Sequence, residues 1–226
     1  MDLNVLFEDN HLLVVEKPRN MPIQEDASKD PDLLNAAKAF LIKKYNKPGD
    51  AFLGLVHRID RPVGGVILFA KTSKAASRIS NEIRLNRLER KYYAIVRGIP
   101  RSKKGILTDY LLKNKKTNIS SVVNSKTKNA KKAKLEYEVL QENEKENLSL
   151  LAIKLHTGRS HQIRVQLSHM GYPIFGDQKY GQNVNKPGEQ IALWAYELAV
   201  KHPTKDEIIT VSCNPPQEHP WLMFNI

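Results

Sequence analysis

Cysteine is almost absent: the chain of 226 residues holds one, Cys213. A lone thiol excludes a disulfide framework and a cysteine-based metal site within one chain. Such scarcity fits a reducing compartment, so a cytoplasmic location is expected. Long apolar runs are missing too. The longest stretches, such as VILFA at residues 66–70, are far too short to span a bilayer, and no membrane partner is expected. The opening MDLNVLFEDN is acidic and has no basic segment ahead of an apolar one, so it does not read as a secretory leader. Internal repeats and Pro- or Ser-rich linkers are lacking as well. Residues 1–226 therefore read as a single domain, 41% hydrophobic and long enough to bury a real core.

Charge is present in quantity and unevenly placed. The net charge is +12, and residues 101–134 hold eleven of the 36 Lys and Arg but only one of the 24 acids, Asp109. The rest of the chain is close to balanced. Such a segment is either the electrostatic footprint of a polyanion or a solvated loop that keeps the protein soluble.

The pattern of apolar residues predicts an α+β fold: a mixed, mainly antiparallel central sheet with flanking helices. Val5–Phe7 and Leu12–Val15 flank Asp9 and Asn10 as a hairpin. A helix follows, with Asp30 as cap, Pro31 at its first position, and Leu34, Ala37, Leu41 and Tyr45 inward. GVILFAK is a continuously apolar strand, covered on both faces. Thr72 or Ser73 caps a second helix with Ala76, Ile79 and Ile83 inward. In RKYYAIVRG, Tyr92, Ala94 and Val96 share one strand face. The basic segment holds a hairpin around NISSVVN. AKLEYEVL and LSLLAIKL pair as antiparallel strands. SHQIRVQLSHMGYP is a short helix capped by Ser160, with Ile163, Leu167 and Met170 buried and Gly171 ending it. QIALWAYELAV and EIITVSCN are the last strands.

Several chemistries find no residues to carry them. His161 and His169 stand eight apart, and no tighter pair with a further ligand supports a zinc site. Ser160 is not flanked as G-x-S-x-G. RPVGG and TGRS match neither a P-loop nor a dinucleotide fingerprint, so no cofactor and no metal are expected. Three features remain: Asp60 in a turn between Arg58 and Arg61, Tyr92 on a strand face, and Arg164 on a helix. Singly, each has an ordinary structural alternative, as a turn residue, a core residue and a helix-face charge.

Together these stretches resemble the RluA-type pseudouridine synthases, in order and over almost the whole chain. VLFEDNHLLVVEKP is similar to that family's opening hairpin, HRIDRPVGGVILFAK to its H-R-[LI]-D signature, RKYYAIVRG to its tyrosine strand, and TGRSHQIRVQLSHMGYPIFGDQKYG to its T-G-R-x-H-Q-[LI]-R block. LWAYELAVKHP is similar to its penultimate strand. The resemblance implies a pseudouridine-synthase-like fold and the isomerisation of uridine within structured RNA, ribosomal or transfer, with no cofactor. It implies Asp60 as the catalytic carboxylate, Arg164 as the cation that keeps it ionised, and Tyr92 against the flipped uracil. It also lifts the RNA reading of the basic segment. Arg58, Arg61, Lys113, Lys115, Lys116, Lys126, Lys128, Lys131, Lys132, Arg159 and His161 are the candidate RNA contacts.

Departures from the family pattern are local. Val63-Gly64-Gly65 stands where Thr-Ser-Gly is common, and this glycine pair is expected to shape the turn behind Asp60. Asn20 takes a usual glycine place, and asparagine tolerates a left-handed backbone. Trp194 stands where histidine is common. Many relatives carry a small RNA-binding domain before the hairpin; here substrate choice is expected to come from the catalytic domain, with 101–134 as the candidate. No protein partner is implied, and a monomer is expected. The rival reading is an RNA-binding module of the same fold without catalysis, which would have no need to keep Asp60, Tyr92 and Arg164 together. A nuclease or glycosidase would want a carboxylate pair or metal ligands, and neither can be assembled.

Overall fold

The computed structural model describes residues 3–226; Met1 and Asp2, at the head of the acidic opening stretch, lie outside them. The class is α+β as expected, with three α-helices among the described residues and mixed, mostly antiparallel β-structure. The chain divides into two compact units, Met1–Glu89 with Ala195–Asn214, and Arg90–Trp194 with Pro215–Ile226. Among the described residues, no helix is long and apolar enough to cross a membrane.

In the first unit, β1 (Val5–Glu8) and β2 (Leu12–Lys17) make the expected hairpin. One carboxylate oxygen of Asp9 closes its turn by accepting the backbone N–H groups of His11 and Leu12, each at 2.7 Å. β2 pairs antiparallel with β4 (Gly64–Ala70), as does the short β3 (Gly54–Leu55). β4 also neighbours β10 (Leu193–Lys201), and β10 pairs with β11 (Ile208–Ser212). Every residue of β4 is buried, which is why its sequence is apolar without alternation. Leu12 and Val14, Val66 and Leu68, and Leu198 and Val200 present alternate side chains to one core cluster. Ile79 of α2 (Ser73–Arg84) joins it, and Thr72 Oγ1 caps that helix by accepting from Ala75 N–H at 3.1 Å.

Two expectations for this unit change. The first helix, α1 (Leu33–Lys44), is capped by Asp32 rather than Asp30, because the Asp32 carboxylate takes both the backbone N–H and the side-chain amide of Asn35, at 2.9 and 2.7 Å. Pro31 therefore precedes the cap, Leu33 replaces Leu34 in the buried stripe, and Tyr45 is exposed. The glycine pair does not form the turn behind Asp60. That turn is Arg61–Pro62, closed by Val63 N–H on the Asp60 carbonyl at 3.0 Å, and both glycines open β4. Gly65 has φ +119°, and a Cβ there would lie 2.2 Å from the Ala195 carbonyl oxygen. Its work is to let two backbones approach.

The second unit is an antiparallel run of strands. β5 (Glu89–Arg97) pairs with β9 (Leu148–Leu155), β9 with β8 (Lys131–Asn143), β8 with β6 (Lys104–Asn114), and β6 with β7 (Ile119–Val123). The basic segment is thus the β6–β7 hairpin and the start of β8. Its hairpin turns at residues 115–118, so ISSVV is the second strand rather than the bend.

The last helix, α3 (Gln162–His169), forms without the Ser160 cap. His161 occupies the cap position with φ 55° and ψ 25°, and no side-chain bond caps the helix. Ser160 instead offers its carbonyl to Ser120 Oγ at 2.8 Å. Gln162 through Leu167 are all buried, so α3 has no solvent stripe over its first turns, and Met170 is only half-buried. Gly171, at φ +92°, ends it as expected, with Tyr172 N–H on the Leu167 carbonyl at 3.0 Å.

Candidate functional site

In the first unit the site is built on the turn after Ile59. Asp60 is half-buried at its head, and Arg58 is exposed one step before the buried Ile59. Below the turn lies Lys17, the last residue of β2, with 0% exposure. Its ammonium donates to the carbonyls of Pro18 (2.9 Å), Arg61 (2.9 Å) and Val63 (2.6 Å), which uses all three of its protons. Burial drives the Lys17 amine down to about 7; the Asp60 charge opposes that fall and Arg61 adds to it. The buried cation therefore sits within electrostatic reach of Asp60 and holds the main chain on both sides of Pro62.

Arg61 faces a different set of groups. Its Nε donates to the Asn20 carbonyl at 3.1 Å and Nη1 to Ser28 Oγ at 2.9 Å, while Nη2 bonds the Asp30 carboxylate and Nη1 lies 3.5 Å from Asp26. The guanidinium so ties the loop 20–30 to the turn after Asp60. Asn20 has φ 63°, the left-handed backbone read from its place in the sequence. His57 accepts the Leu68 N–H on Nε2 at 3.0 Å, which secures the segment before Asp60 to β4.

In the second unit, Tyr92 is 7% exposed in β5, opposite Ile153. Arg164 is 6% exposed on α3 and meets Asp177 side-on, Nε to Oδ2 at 2.8 Å and Nη2 to Oδ1 at 2.7 Å. The Tyr180 ring lies 5.3 Å from the guanidinium carbon. Tyr180 Oη accepts Ser120 N–H at 2.8 Å and lies 2.7 Å from His161 Nδ1, so His161 is engaged inside the unit. Gln162 braces the preceding loop: its carbonyl oxygen accepts from Thr157 Oγ1 (2.7 Å) and Arg159 N–H (3.0 Å), and its amide donates to the Lys134 carbonyl (3.1 Å). That is the physical content of the T-G-R-x-H-Q spacing.

Arg159 is exposed and donates through Nε to the Lys132 carbonyl at 2.8 Å, which brings it beside the basic strand. Lys113, Lys115, Lys116, Lys126, Lys128, Lys131 and Lys132 are all exposed, and none has an ion-pair partner among the described residues. The segment's one acid, Asp109, is taken up by Gln166 Nε2 at 2.6 Å. The lysines thus gather at the end of β6, in the turns at 115–118 and 124–130, and at the start of β8.

Sequence reasoning missed Lys17, His57, Asp177 and Tyr180 as site residues. Each stood inside a quoted motif, but a lysine's burial or an aspartate's partner leaves no local signature.

A family model described as RNA pseudouridylate synthase matches residues 11–169. An uncharacterised RNA pseudouridine synthase of Aquifex aeolicus is 30% identical over 233 residues, covering 99% of this chain and 69% of the relative. Ribosomal large subunit pseudouridine synthase C of Buchnera aphidicola is 34% identical over 186 residues, covering 79% of this chain and 54% of the relative. Among solved structures, human RNA pseudouridylate synthase domain containing 4 is similar in fold, with a TM-score of 0.79 at 21% identity, over 95% of this chain and 89% of that one.

Proposed function

The chain belongs to the RNA pseudouridylate synthase family, and from that premise we propose that it isomerises specific uridines of structured RNA with Asp60 as the catalytic carboxylate. The observation that carries the assignment of Asp60 is its seat: a short turn, closed on its own carbonyl and pinned from below by the buried Lys17 ammonium. A carboxylate that attacks the sugar or base, or that takes a proton from the sugar, must be held in one orientation while the base is detached and turned. A turn that cannot wander meets that need.

Tyr92 and Arg164 are the further residues proposed to serve the reaction. Both are buried, as groups must be that act where water is excluded. Arg58, exposed two residues before Asp60, is proposed to fill the space left by the extruded base or to hold its phosphate. Extrusion costs roughly a few kcal/mol. The exposed lysines of 101–134, with Arg159, are proposed to supply backbone attraction that offsets it. A ribosomal RNA is the favoured substrate, because the name of the Buchnera relative specifies the ribosomal large subunit.

The test has two parts. Pseudouridines are mapped in total RNA from cells with and without the gene; a site that vanishes names the target, and an unchanged map overturns the reading. Asp60→Asn is then assayed on that RNA. Folding and affinity should persist while pseudouridine formation is lost, and turnover near wild type would remove Asp60 from the chemistry.

A further inference from the structure

A guanidinium on a flexible stem has four torsions, and burial alone does not decide which of its edges faces a given direction. For Arg164 that choice is made by Asp177. The carboxylate engages Nε and Nη2 side-on, so the plane and roll of the guanidinium are both fixed. Asp177 cannot yield, being 1% exposed itself. Its Oδ1 also accepts the N–H groups of Lys179 (2.9 Å) and Tyr180 (3.2 Å). Burial pushes the Asp177 carboxyl up, but Arg164 and those two N–H groups outweigh it and hold the group below its usual range.

The loop that presents Asp177 is equally constrained. Gly176 has φ +72°, and a Cβ there would stand 2.2 Å from the Gln190 carbonyl. Asn185 accepts Gly176 N–H at 3.0 Å and donates to the carbonyls of Ile174 (2.8 Å) and Asp177 (3.3 Å). The Tyr180 ring completes the seat beside the guanidinium.

We propose that Asp177 is a positioning residue for the pseudouridine reaction, one that sets which edge of Arg164 is presented while making no contact with RNA itself. The proposal rests on the reading that Arg164 serves the chemistry.

Single-turnover pseudouridine formation and RNA affinity are measured for Asp177→Asn, Asp177→Glu, Arg164→Met and the double variant Asp177→Asn/Arg164→Met, each checked by thermal unfolding. Asp177→Glu keeps the charge and shifts the guanidinium; it should bind RNA with unchanged affinity and lose about 10²-fold in rate, the loss expected of an ångström-scale misplacement. The double variant should be no slower than Arg164→Met alone, because Asp177 acts only through that side chain. If Asp177→Asn unfolds for want of a counter-charge, Asp177→Glu and the double variant carry the test. Normal rates in folded Asp177 variants, with Arg164→Met slow, overturn the proposal alone. So does a rate loss in the double variant that adds to that of Arg164→Met, or an affinity loss as large as the rate loss. A normal rate in Arg164→Met instead sinks the reading of Arg164, and the proposal with it.

Discussion

Lys17 Nζ lies 2.6 Å from the carbonyl oxygen of Val63, and the side chain that carries it is wholly buried. The bond joins the end of β2 to the residue that follows the Asp60 turn. A lysine in this place is expensive to bury, and the three main-chain carbonyls around its ammonium are what make it tolerable.

Lys17→Met should therefore leave three carbonyls without their donor. A stability loss of about 3 kcal/mol is expected in urea unfolding, with a fall in pseudouridine formation beyond that. The wild-type pH dependence carries a second mark. Below about pH 7 folded and unfolded chains both keep the Lys17 proton; from about 7 to 10.5 the unfolded chain binds more, so stability gains from this group as pH rises. The variant should lack that gain, and matching profiles would show that the amine is not depressed in the fold.

Gly65→Ala should destabilise severely, by about 3 kcal/mol or more, since the new Cβ would be 2.2 Å from the Ala195 carbonyl and φ is +119°. The urea midpoint reads this directly. Gly171→Ala, where φ is +92° but a Cβ would meet nothing within 4 Å, is the comparison; equal losses would refute the close-approach role of Gly65.

Changing Lys115, Lys116, Lys126 and Lys128 together to Gln should weaken RNA binding and flatten the slope of log affinity against log salt. The expected change is about 0.7–0.9 for each RNA phosphate that a lysine no longer neutralises. These side chains are exposed, so stability should stay within about 0.5 kcal/mol. An unaltered salt slope would return the segment to a solubility role.

Glu8 offers a test at acid pH. Burial raises its carboxyl, but bonds from Lys44, Lys71 and Tyr45 pull it down to about 2 from 4.5. A depressed acid contributes stability above the unfolded value and loses it as pH falls toward the folded one. Glu8→Gln should remove the part of the acid limb between about 4.5 and 2, and an unchanged limb would show that these bonds carry no net stabilisation.

Much of the fold was legible locally. The β1–β2 hairpin, a helix start at Thr72 or Ser73, the unbroken apolar strand β4 and the Gly171 stop all follow from residues within a few positions of each other. The misses are of one kind. Asp30 and Asp32 are both good caps, and only the reach of Asp32 to Asn35 decides between them. Ser160 is a good cap by type, yet Ser120 of a distant strand claims its carbonyl while His161 enters the left-handed region. The site divides the same way. Asp60, Tyr92 and Arg164 stand out because their motifs are long and ordered, whereas Lys17 and Asp177 do not, because nothing near them in the chain reports their partners.

By itself, then, the sequence determined the class of fold, the family, the order of elements and the clustering of charge at 101–134, since periodicity, motif spacing and charge count are properties of neighbouring residues. Only the tertiary structure decided that Lys17 underlies the Asp60 turn, that Gly65 serves Ala195 rather than the turn, and that Asp177 orients Arg164. Those depend on burial and on hydrogen bonds closed between segments far apart in the chain, and such pairings exist only once the core has brought them together.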